Sequence, residues 1–303
     1  MTNVEIQNEY EYTTFPRQFV RYRWFKPILV TLLTTVFYFT IIISVMLVAY
    51  FMSGCSGITA FMGQYDYFSD GEGMFTAVGA LINMGSIAAM IPALALAALI
   101  IRDRPYSSYS SSRGGFKWSA FFKGLIVAAV IMGIFFTIDT IFFNDDPGNG
   151  EISFTTAGFI VMVVLLPFQC AAEEYVFRGL LMQTLGSWIR VPVIAIILQA
   201  IVFALGHMYN IWGIMAIFVS GLAFGVIAWQ TKGLEIGVAM HVVNNYIAFL
   251  SQGFGISGGG SEAGVSSMLI SIVVDIVSVA VIIFITKKFH WFTPRPIKGE
   301  LKM

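Results

Sequence analysis

Long apolar runs alternate with short polar stretches along the whole chain. Eight runs are long enough to cross a bilayer: 26–52, 74–101, 118–143, 155–186, 191–208, 211–230, 233–250 and 265–286. A helix crossing the hydrocarbon layer needs roughly 20 apolar residues, so the pattern predicts an all-α polytopic bundle of about eight transmembrane helices. The fourth run is overlong and holds Pro167, which predicts a tilt, kink or break there. The pattern divides the chain into a polar tail (1–25), a three-helix region (26–154), a core (155–250), and an outer loop, last helix and basic tail (251–303).

Charge gives the bundle an orientation. The segments after runs one, three and seven hold Asp66, Asp70, Glu72, Asp145, Asp146, Glu151 and Glu262 and no Lys or Arg. The opposite ends hold Arg102, Arg104, Arg113, Lys117, Lys123, Arg190, Lys232, Lys287, Lys288, Arg295, Lys298 and Lys302, with Arg17, Arg21 and Arg23 before the first run. Positive charge collects on the cytoplasmic side, so both termini are expected inside. Composition agrees: 57% of the 303 residues are hydrophobic and 11% charged, against about 25% charged in a soluble domain. The expected location is a cell membrane, the plasma membrane of a bacterium. No basic face with interleaved aromatics points to nucleic acid. Cys55 and Cys170 give no disulfide framework, and Met52-Ser53-Gly54-Cys55 lies too far along the chain to be a lipoprotein cleavage box.

The anomaly is Ala171-Ala172-Glu173-Glu174-Tyr175-Val176-Phe177-Arg178, which sets three charges within an apolar run. Each costs roughly 2.5–3.5 kcal/mol near a bilayer centre on insertion scales. Glu174 and Arg178 are four apart, share a helix face and can neutralise one another. Glu173 has no charge partner at helical spacing, which makes it the candidate working acid and the Glu174–Arg178 pair its scaffold.

Two of the three histidines also lie in runs. His207 closes Phe203-Ala204-Leu205-Gly206-His207, and His241 and Asn245 are four apart on one face. His290, beside Trp291, is an interfacial residue. At 1.5 Å per residue from the inside ends, Glu173 lies roughly 20 Å deep, His207 about 24 Å, Asn245 about 18 Å and His241 about 12 Å. Four polar groups from three helices in one band predict one buried site. Gly221 and Gly225 have the spacing of close helix packing. Asp275, mid-run, reads as a structural hydrogen-bonding group, and Cys170 as a small buried apolar residue. The 15 Met and 28 Phe are core and lipid-facing surface.

Taken in order, Glu173-Glu174-x-x-x-Arg178, Phe203-x-x-x-His207 and His241-x-x-x-Asn245 resemble the three motifs of the CAAX protease and bacteriocin-processing family, also called Abi. The match covers about residues 160–250 and no motif position departs from the pattern. The resemblance implies an intramembrane endopeptidase without a cofactor. Glu173 and His207 would activate a water, His241 and Asn245 would stabilise the oxyanion, and Glu174, Arg178 and Phe203 would support them. It also implies a membrane-associated peptide or protein as substrate. Eukaryotic relatives trim prenylated proteins, bacterial ones mature peptides or give bacteriocin immunity, and nothing in the chain marks a prenyl-protein enzyme.

Three other readings stay open at this point. Glu173, His207 and His241 are enough ligands for a zinc hydrolase, although Asn245 would then have no role. A non-catalytic scaffold regulating a partner would tolerate loss of the glutamate. Buried carboxylates and histidines also serve transporters, but no pair of broken helices occurs in matching halves.

Overall fold

The computed structural model describes residues 10–54, 56–69, 72–143, 147–258, 264–292 and 296–302. Glu5, Glu9, Cys55, Asp70, Asp145, Asp146, Glu262 and Arg295 lie outside the described residues. Among those described there is no β-strand, only isolated bridges such as Phe19 with Leu301. The nine main helices are α1 (Lys26–Ser53), α2 (Ile58–Ser69), α3 (Ala77–Ile101), α4 (Trp118–Phe142), α5 (Thr156–Ile189), α6 (Pro192–Leu205), α7 (Ile211–Thr231), α8 (Glu235–Gly253) and α9 (Val265–Lys288).

Each predicted run contains a helix, and the chain is a multi-pass membrane protein. Among the described residues six helices are long and apolar enough to cross a bilayer: α1, α3, α4, α5, α7 and α9. Length and composition thus bear out an all-α membrane bundle without confirming the expected count of eight. Helix α6 has only 14 residues, about 21 Å of rise. Helix α8 has 19 residues but holds Glu235, His241, Asn244, Asn245 and Gln252, which lower its apolarity. Large side chains such as Leu32, Val36 and Phe39 on α1 and Ile126, Val130 and Ile134 on α4 face outward. A bilayer supplies the partner for such faces.

Packing clusters the site-bearing helices. Helix α4 packs on α8, α6 on α7, and α7 on α9. At Gly221 an added Cβ would lie 3.0 Å from the Cβ of Ala200, and at Gly225 2.8 Å from Nε2 of Gln199. The glycine pair does hold α6 and α7 together, as the spacing predicts. Helix α5 runs unbroken through Pro167, and its irregular segment is a π-helical stretch at Tyr175–Met182.

The basic face is closed by chain termini and loops. Tyr12, Phe15 and Phe19 are buried, so residues 10–25 are folded onto the bundle. The Tyr12 hydroxyl donates to the carbonyl of Tyr109 (3.0 Å) and Arg17 to that of Ser187 (2.9 Å). The two tails meet where Val20 N–H donates to Glu300 O (3.0 Å) and Lys302 N–H to Gln18 O (2.7 Å). Helices α3, α5 and α7 each end on a basic residue in the left-handed conformation: Arg102, Arg190 and Lys232. A cation is favoured there, at the negative end of the helix dipole.

Two predictions follow from this arrangement. A reporter fused after Lys302 reads inside, and one after Glu262 reads outside. The opposite reading at either point removes the orientation drawn from charge. Gly186 packs against the backbone of Thr13, where an added Cβ would lie 2.6 Å from the Thr13 oxygen. Gly186→Ala therefore lowers the Tm and speeds tryptic cleavage at Arg17, and unchanged cleavage would show that the tail is not held there.

Candidate active site

Glu173 and Glu174 end the regular part of α5, and the π-helical stretch carries Arg178 directly after them. Glu174 and Arg178 are completely buried. Nη1 of Arg178 donates to Oε1 of Glu174 at 3.0 Å, and Nη2 to the carbonyl of Gly221 at 3.3 Å. The guanidinium carbon lies 4.3 Å from the ring centre of Phe203 and 5.4 Å from that of Phe224. The expected scaffold pair is thus present, and it reaches helices α6 and α7 as well as its own. Phe203 supplies an aromatic face against a desolvated cation.

His241 joins both glutamates. Its Nδ1 is 3.0 Å from Oε1 of Glu174 and its Nε2 3.2 Å from Oε2 of Glu173. Glu173 lacks a partner on its own helix, as the spacing requires, but gains one from α8. Glu174 is correspondingly more than a scaffold for Arg178, since it also orients the imidazole. Both ring nitrogens face carboxylate oxygens, which in ionised glutamates only accept hydrogen bonds. Gly237 on α8 makes room for this contact, because an added Cβ would lie 3.2 Å from Oε2 of Glu174.

His207 lies just beyond the end of α6, half-buried, its Nδ1 2.8 Å from the carbonyl of Phe203. A carbonyl accepts only, so Nδ1 carries the hydrogen and, in the neutral ring, Nε2 is the bare nitrogen. Nδ2 of Asn245 donates to Oε1 of Gln169 at 3.1 Å, and Nδ2 of Asn244 donates to Oδ1 of Asn245 at 3.2 Å. Glu173, His207, His241 and Asn245 all line one cavity of about 460 Å³, within the size range of ligand sites. Its apolar walls include Met84, Ile87, Ile217 and Phe249.

Gln169, Gln199 and Asn244 escaped the sequence reading. Gln169 precedes Glu173 by four residues, and Gln199 stands four before Phe203 and eight before His207. That helical spacing is the signal that marks them. Gln199 is fully buried and donates to the Gly221 carbonyl (2.8 Å) that Arg178 also uses. Asp275 accepts from Ser220 at 2.6 Å, in keeping with a hydrogen-bonding role. Cys170 is buried, its thiol 3.3 Å from Oε1 of Gln169, and His290 follows α9 on the basic face. Among the described residues no group of three or more His, Cys, Asp and Glu side chains is arranged to hold a metal ion.

Comparison with known proteins adds a family. Residues 154–247 match the model described as Type II CAAX prenyl endopeptidase Rce1-like. The uncharacterized protein YyaK of Bacillus subtilis (strain 168) is 25% identical over 166 residues, which is 51% of this chain and 55% of YyaK. The chain thus spans about half the length of the curated relative it matches. No solved structure matches. All three motifs fall between residues 154 and 247, the segment over which the chain is similar to the Rce1-like type II CAAX prenyl endopeptidases.

Proposed function

We propose that the cavity cleaves a peptide bond in a membrane-associated peptide or protein. The observation that carries this reading is the 3.2 Å contact between Glu173 and His241 on the wall of a cavity shared with His207 and Asn245. Amide hydrolysis needs a base for water, a proton for the leaving amine and donors for the tetrahedral oxyanion. Glu173, the carboxylate that reaches the cavity, takes a proton from a water that the bare Nε2 of His207 helps to hold. The resulting oxygen attacks the carbonyl carbon. Negative charge then grows on the carbonyl oxygen, where the second N–H of Asn245 meets it together with the Nε2–H of His241, released from Glu173 once that carboxylate has taken the proton. Collapse breaks the C–N bond, and the proton held by Glu173 passes to the amine.

In that sequence the proton comes from the water and is carried by Glu173, so the reading calls for no metal. Buried Glu174 is held to Arg178 and His241 and serves by fixing the imidazole. A zinc hydrolase would instead use Glu173, His207 and His241 as ligands, and a scaffold would need none of these chemistries.

The two glutamates are expected to separate in their effects. Glu173→Gln abolishes processing while membrane abundance stays normal. Glu174→Gln lowers abundance and Tm, because removing one partner of a buried ion pair costs about 3–5 kcal/mol. Comparing membrane peptides and protein levels in cells carrying each variant tests this. Equal abundance with equal loss of processing in both would refute the division.

Asn245→Ala is expected to cut the rate by about 10²–10³-fold, as loss of an oxyanion donor does, with little change in KM. Activity should persist in chelator. Tightly bound zinc, lost with activity in His207→Ala and His241→Ala, would replace this mechanism by the metal one.

A further inference from the structure

We propose that Gln169 is a positioning residue of the site: its side-chain oxygen holds the Asn245 amide so that an N–H, and not the carbonyl oxygen, meets the reacting group. This rests on reading the cavity as a cleavage site, and it adds the residue that sets one of the oxyanion donors.

A carboxamide has a donor end and an acceptor end of nearly the same size, so shape alone does not decide which end meets a substrate. Hydrogen bonds decide it here. Oδ1 of Asn245 accepts from Nδ2 of Asn244 at 3.2 Å, and Nδ2 of Asn245 donates to Oε1 of Gln169 at 3.1 Å. The Cys170 thiol also lies 3.3 Å from that Oε1, so two donors converge on one oxygen. With one N–H of Asn245 committed to Gln169, the other is left for a developing oxyanion. Reversing the amide would set Oδ1 against Oε1 of Gln169 and Nδ2 against Nδ2 of Asn244. It would also put an acceptor where negative charge grows.

Gln169 is buried, and it lines the cavity one helical turn before Glu173. A buried amide is costly unless it is hydrogen-bonded, and an apolar side chain would serve packing alone. Helices α5 and α8 are pinned to each other on both sides of Gln169 without its help. His241 meets Glu173 and Glu174 on one side, and on the other the Tyr246 hydroxyl donates to the Val163 carbonyl at 2.6 Å. Losing the Gln169 oxygen therefore leaves the two helices in register and frees only the Asn245 side chain. The side-chain hydrogen bonds of Gln169 all end on its oxygen. Its own N–H groups are thus the competing point of contact with substrate, and that role would show in KM instead of kcat.

The test uses the full chain in lipid nanodiscs, with a synthetic copy of the membrane peptide whose length depends on Glu173 as substrate. Gln169→Leu should lower kcat by about tenfold or more with KM unchanged, since the misplaced donor acts in the transition state. Combined with Asn245→Ala it should be no slower than Asn245→Ala alone, because both changes remove the same interaction. Gln169→Glu keeps an acceptor in place and should recover most of the loss, which a packing defect would not. If Gln169→Leu fails to accumulate, Gln169→Met gives the same readout. A wild-type kcat, or losses that multiply in the double variant, would overturn the proposal. A raised KM with kcat kept would also overturn it and make Gln169 a substrate contact. Finding no peptide whose length depends on Glu173 would remove the peptidase reading itself, whereas Glu173-dependent cleavage at the wild-type rate in Gln169→Leu would remove only this role.

Discussion

The rest of the core depends on how one buried carboxylate is neutralised. Glu174 has no exposed surface, and an ion in that position loses several kcal/mol of hydration. Arg178 returns part of this from the same helix, and His241 returns more from α8 at 3.0 Å. Arg178 is itself expensive to bury. Its Nη2 donates to Gly221 on α7, its Nε is left without a hydrogen-bond partner, and its flat faces go to Phe203 on α6 and Phe224 on α7. One charge thus ties four helices together, and moving any of them would leave an uncompensated ion. Such a node costs stability compared with an apolar core, which is an argument that it is kept for what it positions, namely the imidazole facing Glu173.

The glycines are the geometric side of the same constraint. Gly221 lets α6 come close enough for Gln199 and Arg178 to share one carbonyl oxygen, and Gly237 leaves space for the Glu174 carboxylate. A small residue here does more than allow close packing. It brings backbone acceptors within reach of buried donors that have no water to turn to.

Much of this was legible in the sequence because it rests on short-range periodicity. Glu174–Arg178 and His241–Asn245 are each one helical turn apart, and the Gly221/Gly225 spacing marked a close contact. The three motifs brought their four polar residues to one depth, and one cavity holds them. Contacts between helices were not legible. Nothing in the spacing pairs His241 with the two glutamates 67 and 68 residues before it, nor Asn245 with Gln169. Those pairings join α5 to α8, and periodicity along one helix does not record which residues of another it meets. The folding of residues 10–25 onto the basic face was hidden for a related reason. A polar segment with a few aromatics looks like a tail until its aromatics find a surface.

Of the three main helices outside the six clear crossings, α6 and α8 are the two that bring histidines to the site. Apolar length is what a span needs for the bilayer, whereas a hydrolytic site needs polar side chains and water at depth. Helix α6 meets the second demand by being short, so that the chain turns back at the level of His207. Helix α8 meets it by burying Glu235 and His241 in protein and turning Asn244 and Asn245 toward the cavity. Its neighbours α4, α5 and α7 shield it, and its first nine residues, Glu235 to Val243, are all buried. A residue enclosed by protein escapes the cost of facing hydrocarbon. The low apolarity of α8 is therefore a consequence of its central position, and the surrounding six helices supply the hydrophobic surface that the site itself cannot have.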